Sequence, residues 1–503
     1  MKFKVTFILV LTCWLGVLGA TANIARADLA EDVRTVLRDK YLAKAQVGIA
    51  IARLPDAPTT NVTTNTTTTS AISAAATVQP DVLFRHDSEI PLMPASNLKL
   101  VTTSAFLDHF GPDFKFRTVL LMKDNDLFLI GDGDPTLGDA EMLKKLGWDV
   151  DTVFKAWADS IKQRGVTSVR NVYLDDSVFD EVFLHPNWLS RYLGDRYAAQ
   201  VGGVNLNANC IDFMVRAATS PGQAVAYTMN PDTRYATVKN LAVTGEDKGV
   251  GVSRPPNRND LTLRGEIAQS LGKPISVPIV DPPMFAATVL SETLARNGVA
   301  VTDATARDRS VRERYAADPS GWAVVAALDT KVSTVLERAN KDSMNLYAEA
   351  MCKRLGRDVS GQPGSWANGT AAVGEFLKRI GVAEEQFKLD DGSGLSRENA
   401  VSADTILKIL AHNYQGPNRE AFISSLAIGG ADGTFEKRFK TNLRGRVFGK
   451  SGYIAGVSCL SGYVRTEDNK WFAFSILMNG ITDNGTAKTL QERIVNAIDE
   501  NAK

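Results

Sequence analysis

The sequence predicts an α+β fold in which helices pack on an antiparallel sheet and a long β-rich section interrupts them. Three observations predict it. Residues 47–54, 446–450, 458–464 and 471–478 form short apolar or alternating runs of strand length, bounded by turn residues. Stretches after Pro94, Ser333 and Ser343, and one carrying Leu490, Ile494 and Ile498, space their apolar residues as helices do. From 114 to 328 the texture changes to strand-like runs broken by turns. A chain of 503 residues is too long for one core. Residues 28–113 and 329–503 are therefore expected to form one domain, and 114–328 an insert of β-rich subdomains.

Taken in order, Lys2 and Lys4 precede an apolar stretch from Val5 to Ala20, and Ala25-Arg26-Ala27 offers small residues for cleavage before Asp28. Residues 1–27 thus read as a secretory signal peptide, and the mature chain has no transmembrane segment. An uncleaved anchor is the alternative, disfavoured because the apolar run is short for a bilayer. The strand 47–54 should pair with 82–85 across a Thr- and Ala-rich tract at 55–80, read as a long disordered hairpin insertion. Pro94 opens a helix to about His109, with Ser96 in its first turn. Strand-like runs follow at 119–122 and 127–130, then at 172–174, 224–229, 236–243 and 261–263, before a helix at 283–296. From Trp322 the pattern returns to helices.

Composition excludes several function classes. Hydrophobic residues at 44% and charged residues at 23% are those of an ordinary globular protein. The net charge is zero and no basic stripe exists, which argues against a nucleic-acid partner. Loss of residues 1–27 removes Lys2, Lys4 and Arg26, leaving 54 basic against 57 acidic side chains. The mature cysteines, Cys210, Cys352 and Cys459, are too few for a disulfide framework and read as buried thiols. The four histidines (His86, His109, His185, His412) show neither metal-ligand spacing nor a Ser-His-Asp arrangement. No metal and no cofactor are expected.

The chemistry lies in three short patterns, Ser96-Asn97-Leu98-Lys99, Ser343-Met344-Asn345 and Lys450-Ser451-Gly452. SxxK alone is weak, since Ser270-Leu271-Gly272-Lys273 also matches. There, however, Gly272 and Pro274 oppose the helix that would stack the pair. Ser-x-Asn and Lys-[Ser/Thr]-Gly each occur once. The set is that of serine acyl transfer with an amine base. Ser96 is too weak an acid to attack a carbonyl unaided. Lys99, one helical turn away, can take its proton only if its own pKa is depressed by burial or a nearby cation. Lys450 is the candidate cation and would attract a substrate carboxylate. Ser343 would relay the proton to a leaving amine, and Asn345 would bond both Lys99 and the substrate amide. Backbone N–H groups of Ser96 and Tyr453 would form the oxyanion hole, with Gly452 leaving room beside them. A helix cap at Ser343 and a solvated Lys450 are the bland alternative.

With these residues in place, the chain resembles the class C low-molecular-mass penicillin-binding proteins. These are the D-alanyl-D-alanine carboxypeptidases and endopeptidases of peptidase family S13, of the penicillin-binding protein 4 type. The long gap between Ser96 and Ser343, and the stretches Gly131–Leu137, Asp391–Arg397 and Gly430–Thr434, belong to the same resemblance. It implies a serine β-lactamase/transpeptidase-like domain with two β-rich subdomains inserted after the SxxK helix. It also implies hydrolysis of peptidoglycan stem peptides through acyl-Ser96, β-lactams as inhibitors, and a place in the periplasm or cell envelope. Asp175 (or Asp176) and Arg397 are implied to help bind a diaminopimelyl end, beside Ser451, Gly452 and Tyr453. Ser451 stands where the family more often has Thr. A secreted β-lactamase using the same motifs, or a catalytically silent peptidoglycan-binding relic, are the rival readings.

Overall fold

The computed structural model describes residues 28–55 and 79–502. The expected signal peptide and nearly all of the Thr-rich tract lie outside the described residues. The central element is a six-stranded antiparallel sheet. Its strands run in the order Ala427–Ile428, Val447–Ile454, Val457–Arg465, Trp471–Asn479, Gln46–Arg53 and Asp81–His86. Strand alternation decides what each face meets. Ile49 and Ile51 sit opposite Ile476 and Phe474, and all four join Leu490, Ile494 and Ile498 of the last helix, Asn484–Glu500. Ala50 and Ala52 face the other way, towards the helices Leu98–Phe110, Asn345–Ser360 and Ala403–Gln415. Leu98–Phe110 is buried from Leu98 through Leu107. A helix buried on every side belongs inside the protein, and this one, polar residues included, is the pillar of that second core.

The insert divides into two kinds of sheet. One has five strands in the order Thr305–Arg307, Val172–Asp175, Asp126–Ile130, Lys115–Lys123 and Ala323–Lys331, with the first three parallel. Small antiparallel and mixed sheets hold Cys210–Arg216, Ala226–Asn230, Ile275–Pro278 and the strands from Thr237 to Ile267.

Three expectations need correction. The insert is not only β-rich: Thr152–Lys162 is a helix, burying Phe154, Trp157, Ala158 and Ile161 at i, i+3, i+4 and i+7. Parallel strands need such crossovers, and Pro282–Arg296 supplies another. The run 236–243 breaks after Asn240 and restarts at Val243, because it turns between two strands of one sheet. Finally, the chain does not return to helix at Trp322. Ala323–Lys331 is an edge strand antiparallel to Lys115–Lys123, so the insert's sheet closes at Lys331 rather than 328. Its alanines hide the alternation that marks a strand.

Candidate active site

Ser96 lies in a 3-10 turn, Ala95–Asn97, that leads into the helix Leu98–Phe110, and not in the first α-helical turn as expected. Ala95 carries a left-handed φ of 45°, a conformation that costs a non-glycine residue about 1–3 kcal/mol. Neighbouring elements hold the turn in this shape. Asn97 Nδ2 donates to Ser461 Oγ on the sheet at 2.7 Å. Gly394 packs so closely that an added Cβ would lie 1.9 Å from the Ala95 carbonyl oxygen.

Lys99 is fully buried. Its Nζ meets Ser96 Oγ at 2.9 Å, Asn345 Oδ1 at 2.6 Å and the Ser393 carbonyl at 3.0 Å. Burial draws its pKa from the ordinary 10.5 down to about 7, against the opposing pull of Glu349 and Asp391. A lysine so placed is partly neutral at neutral pH and within reach of the Ser96 proton.

Ser343 is not a helix cap. Met344 takes the N-cap position of Asn345–Ser360 with no side-chain cap bond, and Ser343 sits before it at φ 60°. That strained conformation aims Ser343 Oγ at Lys450 Nζ, 2.8 Å away. Asn345 opens the helix and spans two partners, accepting from Lys99 and donating through Nδ2 to the Tyr197 carbonyl at 2.8 Å. The Gly430–Thr434 stretch braces this corner, since Asp432 Oδ2 accepts from Lys341 Nζ at 2.6 Å.

Lys450 is equally buried, and its Nζ also donates to the Ser451 carbonyl at 2.9 Å. Burial and then the Lys99 charge push its pKa well below 10.5, with only Asp342 opposing. Gly452 follows on the same strand. A Cβ there would come within 2.8 Å of the Pro94 carbonyl and 3.1 Å of Ser96 N, so only glycine lets the strand and the Ser96 turn approach. Ser451 is half-buried, and Tyr453 is exposed beside the site. The structure thus brings together Ser96, Lys99, Ser343, Asn345, Lys450, Ser451, Gly452 and Tyr453.

It does not bring Asp175 to a ligand. That side chain is wholly buried, and its carboxylate accepts the backbone N–H groups of Ser177 at 2.8 Å and Arg312 at 2.6 Å. Asp175 joins a strand end to the first turn of the helix Val311–Ala317 and is wholly enclosed. Asp176 is buried too, against Arg307 and Arg309 at 3.2 and 3.3 Å. Arg397 is reachable. It donates to the Ala455 carbonyl at 3.0 and 2.9 Å and lines a cavity of about 480 Å³ with Asn187, Leu189, Lys388, Asp390 and Glu398. The carboxylates on that cavity are Asp390 and Glu398, not Asp175. Ser270 is no nucleophile, since its Oγ accepts from Ala217 N at 3.1 Å and Lys273 is exposed.

Sequence reasoning missed the Ser393 and Tyr197 carbonyls, because a backbone acceptor leaves no trace in residue type. It also missed Glu349, whose position four residues after Asn345 on one helix face was a readable signal. Cys210, Cys352 and Cys459 are free and buried, and burial raises the Cys459 thiol to about 12.

The sequence profile of the D-Ala-D-Ala carboxypeptidase 3 (S13) family matches residues 59–501, spanning all three motifs. The chain belongs to that family. The D-alanyl-D-alanine carboxypeptidase of Actinomadura sp. (strain R39) is 29% identical to this S13 protein over 498 residues, covering 92% of this chain and 84% of that one. D-alanyl-D-alanine carboxypeptidase DacB of Haemophilus influenzae is 22% identical over 419 residues, covering 80% and 83%. The crystal structure of penicillin binding protein 4 from Haemophilus influenzae matches with a TM-score of 0.73 at 20% identity, covering 93% of this chain and 99% of that one. The S13 protein and penicillin binding protein 4 therefore share a fold.

Proposed function

We propose that this S13 protein is a serine-type D-alanyl-D-alanine carboxypeptidase/endopeptidase acting on peptidoglycan stem peptides in the cell envelope. One observation carries the reading: the amine of a buried lysine bridges the Ser96 hydroxyl and Asn345, with a second buried lysine on Ser343 beside them. Neutral Lys99 takes the Ser96 proton as Oγ attacks the carbonyl of the penultimate D-alanine. The oxyanion accepts N–H bonds from Ser96 and Tyr453. Ser343 passes a proton to the departing amine, the C–N bond breaks, and water later hydrolyses acyl-Ser96. Lys450 and Ser451 bind the terminal carboxylate, while Arg397 and its cavity take the diaminopimelyl end of the stem peptide. A β-lactam acylates the same oxygen, but its amine stays tethered and the adduct lingers. On this reading residues 1–27 are a signal peptide. Among the described residues no helix is long and apolar enough to cross a membrane.

The test pairs D-alanine release from a stem pentapeptide with intact-mass analysis after benzylpenicillin. We expect release, a lasting one-to-one adduct on Ser96, and loss of both in Ser96→Ala. D-Alanine release that persists in Ser96→Ala would overturn the reading, and rapid penicillin turnover without a lasting adduct would replace it with a β-lactamase.

A further inference from the structure

Glu349 lies at the bottom of the site, completely buried, on the helix that Asn345 opens. Four residues apart, the two share a face. Asn345 touches Lys99 directly, whereas Glu349 reaches the loop that supplies the third Lys99 contact. Its Oε2 accepts from Gly392 N at 2.8 Å and from the Trp366 indole at 2.8 Å, and its Oε1 accepts from Ser393 N at 2.9 Å. Asp391 grips the same loop from the other side, accepting from Gly394 N at 2.7 Å and Ser396 N at 2.7 Å. Between them the carboxylates hold three successive N–H groups, 392 to 394. The Ser393 carbonyl is left pointing at Lys99 Nζ.

We propose that Glu349 is a positioning residue for the acylation step: it fixes the Ser393 carbonyl on Lys99, and its charge sets the pH at which Lys99 becomes a base. The inference rests on the Ser96/Lys99 reading above. Glu349 touches no substrate and acts through Lys99 and the loop. All three of its hydrogen-bond partners are donors, which favours the ionised carboxylate. Burial and the Asp391 charge push its own pKa up, and its charge in turn raises that of Lys99, so the two titrations are linked.

The charged groups around the pair come from every neighbouring element. Asp391 faces both from the loop, and Lys353 and Cys352 face Glu349 from its own helix. Lys450 faces Lys99 from the strand, with Asp342 behind it. Glu349 and Asp391 are thus the negative charges that keep Lys99 from falling as far as Lys450. Removing one lets the Lys99 pKa fall further.

The experiment measures the rate of benzylpenicillin acylation of Ser96 against pH in wild type, Glu349→Gln and Glu349→Asp. We expect Glu349→Gln to lower the plateau at least about tenfold and to move the acidic midpoint down by about one unit. Glu349→Asp keeps the charge one methylene further back and should shift the midpoint in the same direction by less. If Glu349→Gln fails to fold, Glu349→Asp decides. A purely structural role would reduce the amount of active protein and its Tm while leaving the midpoint where the wild type has it, and that result overturns the inference. Wild type that is not acylated at Ser96 would instead overturn the functional reading, and this inference with it.

Discussion

The helix side and the strand side of the site each bury one lysine completely, yet they surround it differently. Lys99 has three acceptors and lies near two carboxylates, Glu349 and Asp391, so its pKa settles at about 7. Lys450 has a serine hydroxyl, its neighbour's carbonyl and only Asp342 for opposing charge, and falls well below 10.5. Burial alone therefore does not make a base of the right strength. The compensating carboxylates do, and the difference fits the proposed roles, Lys99 as the base that exchanges a proton near neutrality and Lys450 as the amine that a substrate carboxylate would charge.

The largest effects come from breaking the helix side. Ser96→Ala should abolish the penicillin adduct, and Lys99→Met should slow acylation by about 10²–10⁴-fold. Rapid mixing with intact-mass detection measures both. Next comes the join between the sides. Gly452→Val places a side chain against Pro94 and Ser96, and a displacement of about 1 Å at a nucleophile costs roughly 10²-fold. The acylation rate should drop accordingly while circular dichroism stays unchanged.

Stability sharpens the comparison in the opposite sense. A buried charge with little opposing charge carries a desolvation cost that an apolar side chain of similar volume avoids, whereas removing one member of a compensated buried set costs about 3–5 kcal/mol. Lys450→Met should accordingly raise the unfolding free energy more than Lys99→Met does, because Lys450 lacks the compensation that Glu349 and Asp391 give Lys99. Chemical denaturation measures both, and equal gains would contradict the contrast. The sign of the pH dependence follows. Folded Lys99 sheds its proton at about 7, whereas an unfolded lysine holds it to 10.5. The unfolded state binds more protons in that window, so stability should rise with pH across it, and Lys99→Met should flatten the slope by the Lys99 share while the Lys450 share remains. The smallest effect belongs to Ser451→Thr. It keeps the hydroxyl that a carboxylate would meet and should change acylation by less than about tenfold, whereas Ser451→Ala gives up a bond to a charged group worth about 1.5–3 kcal/mol.

Much of the site was legible because its chemistry needs specific residue types at fixed spacings. Ser96 and Lys99 are three apart on a helical path, and Ser343, Asn345 and Lys450 sit in patterns that occur once each. The sheet was legible too, since Gln46–Arg53 and the three C-terminal strands are short, largely apolar runs of strand length, as strands covered on both faces should be. What escaped was written in backbone or in tertiary contact. The Ser393 and Tyr197 carbonyls have no side-chain signature. Asp175 looked like a free acid until Ser177 N and Arg312 N were seen to occupy it. In Ala323–Lys331, small alanines blurred the alternation and the strand passed for the approach to a helix.

The most direct measurement is the pH dependence of benzylpenicillin acylation in the wild-type protein, with the adduct mapped by peptide mass. The account predicts a single adduct on Ser96 whose rate of formation rises through a midpoint at about 7 as Lys99 loses its proton. An adduct elsewhere, or a rate that stays flat from about pH 5 to about pH 9, would contradict it.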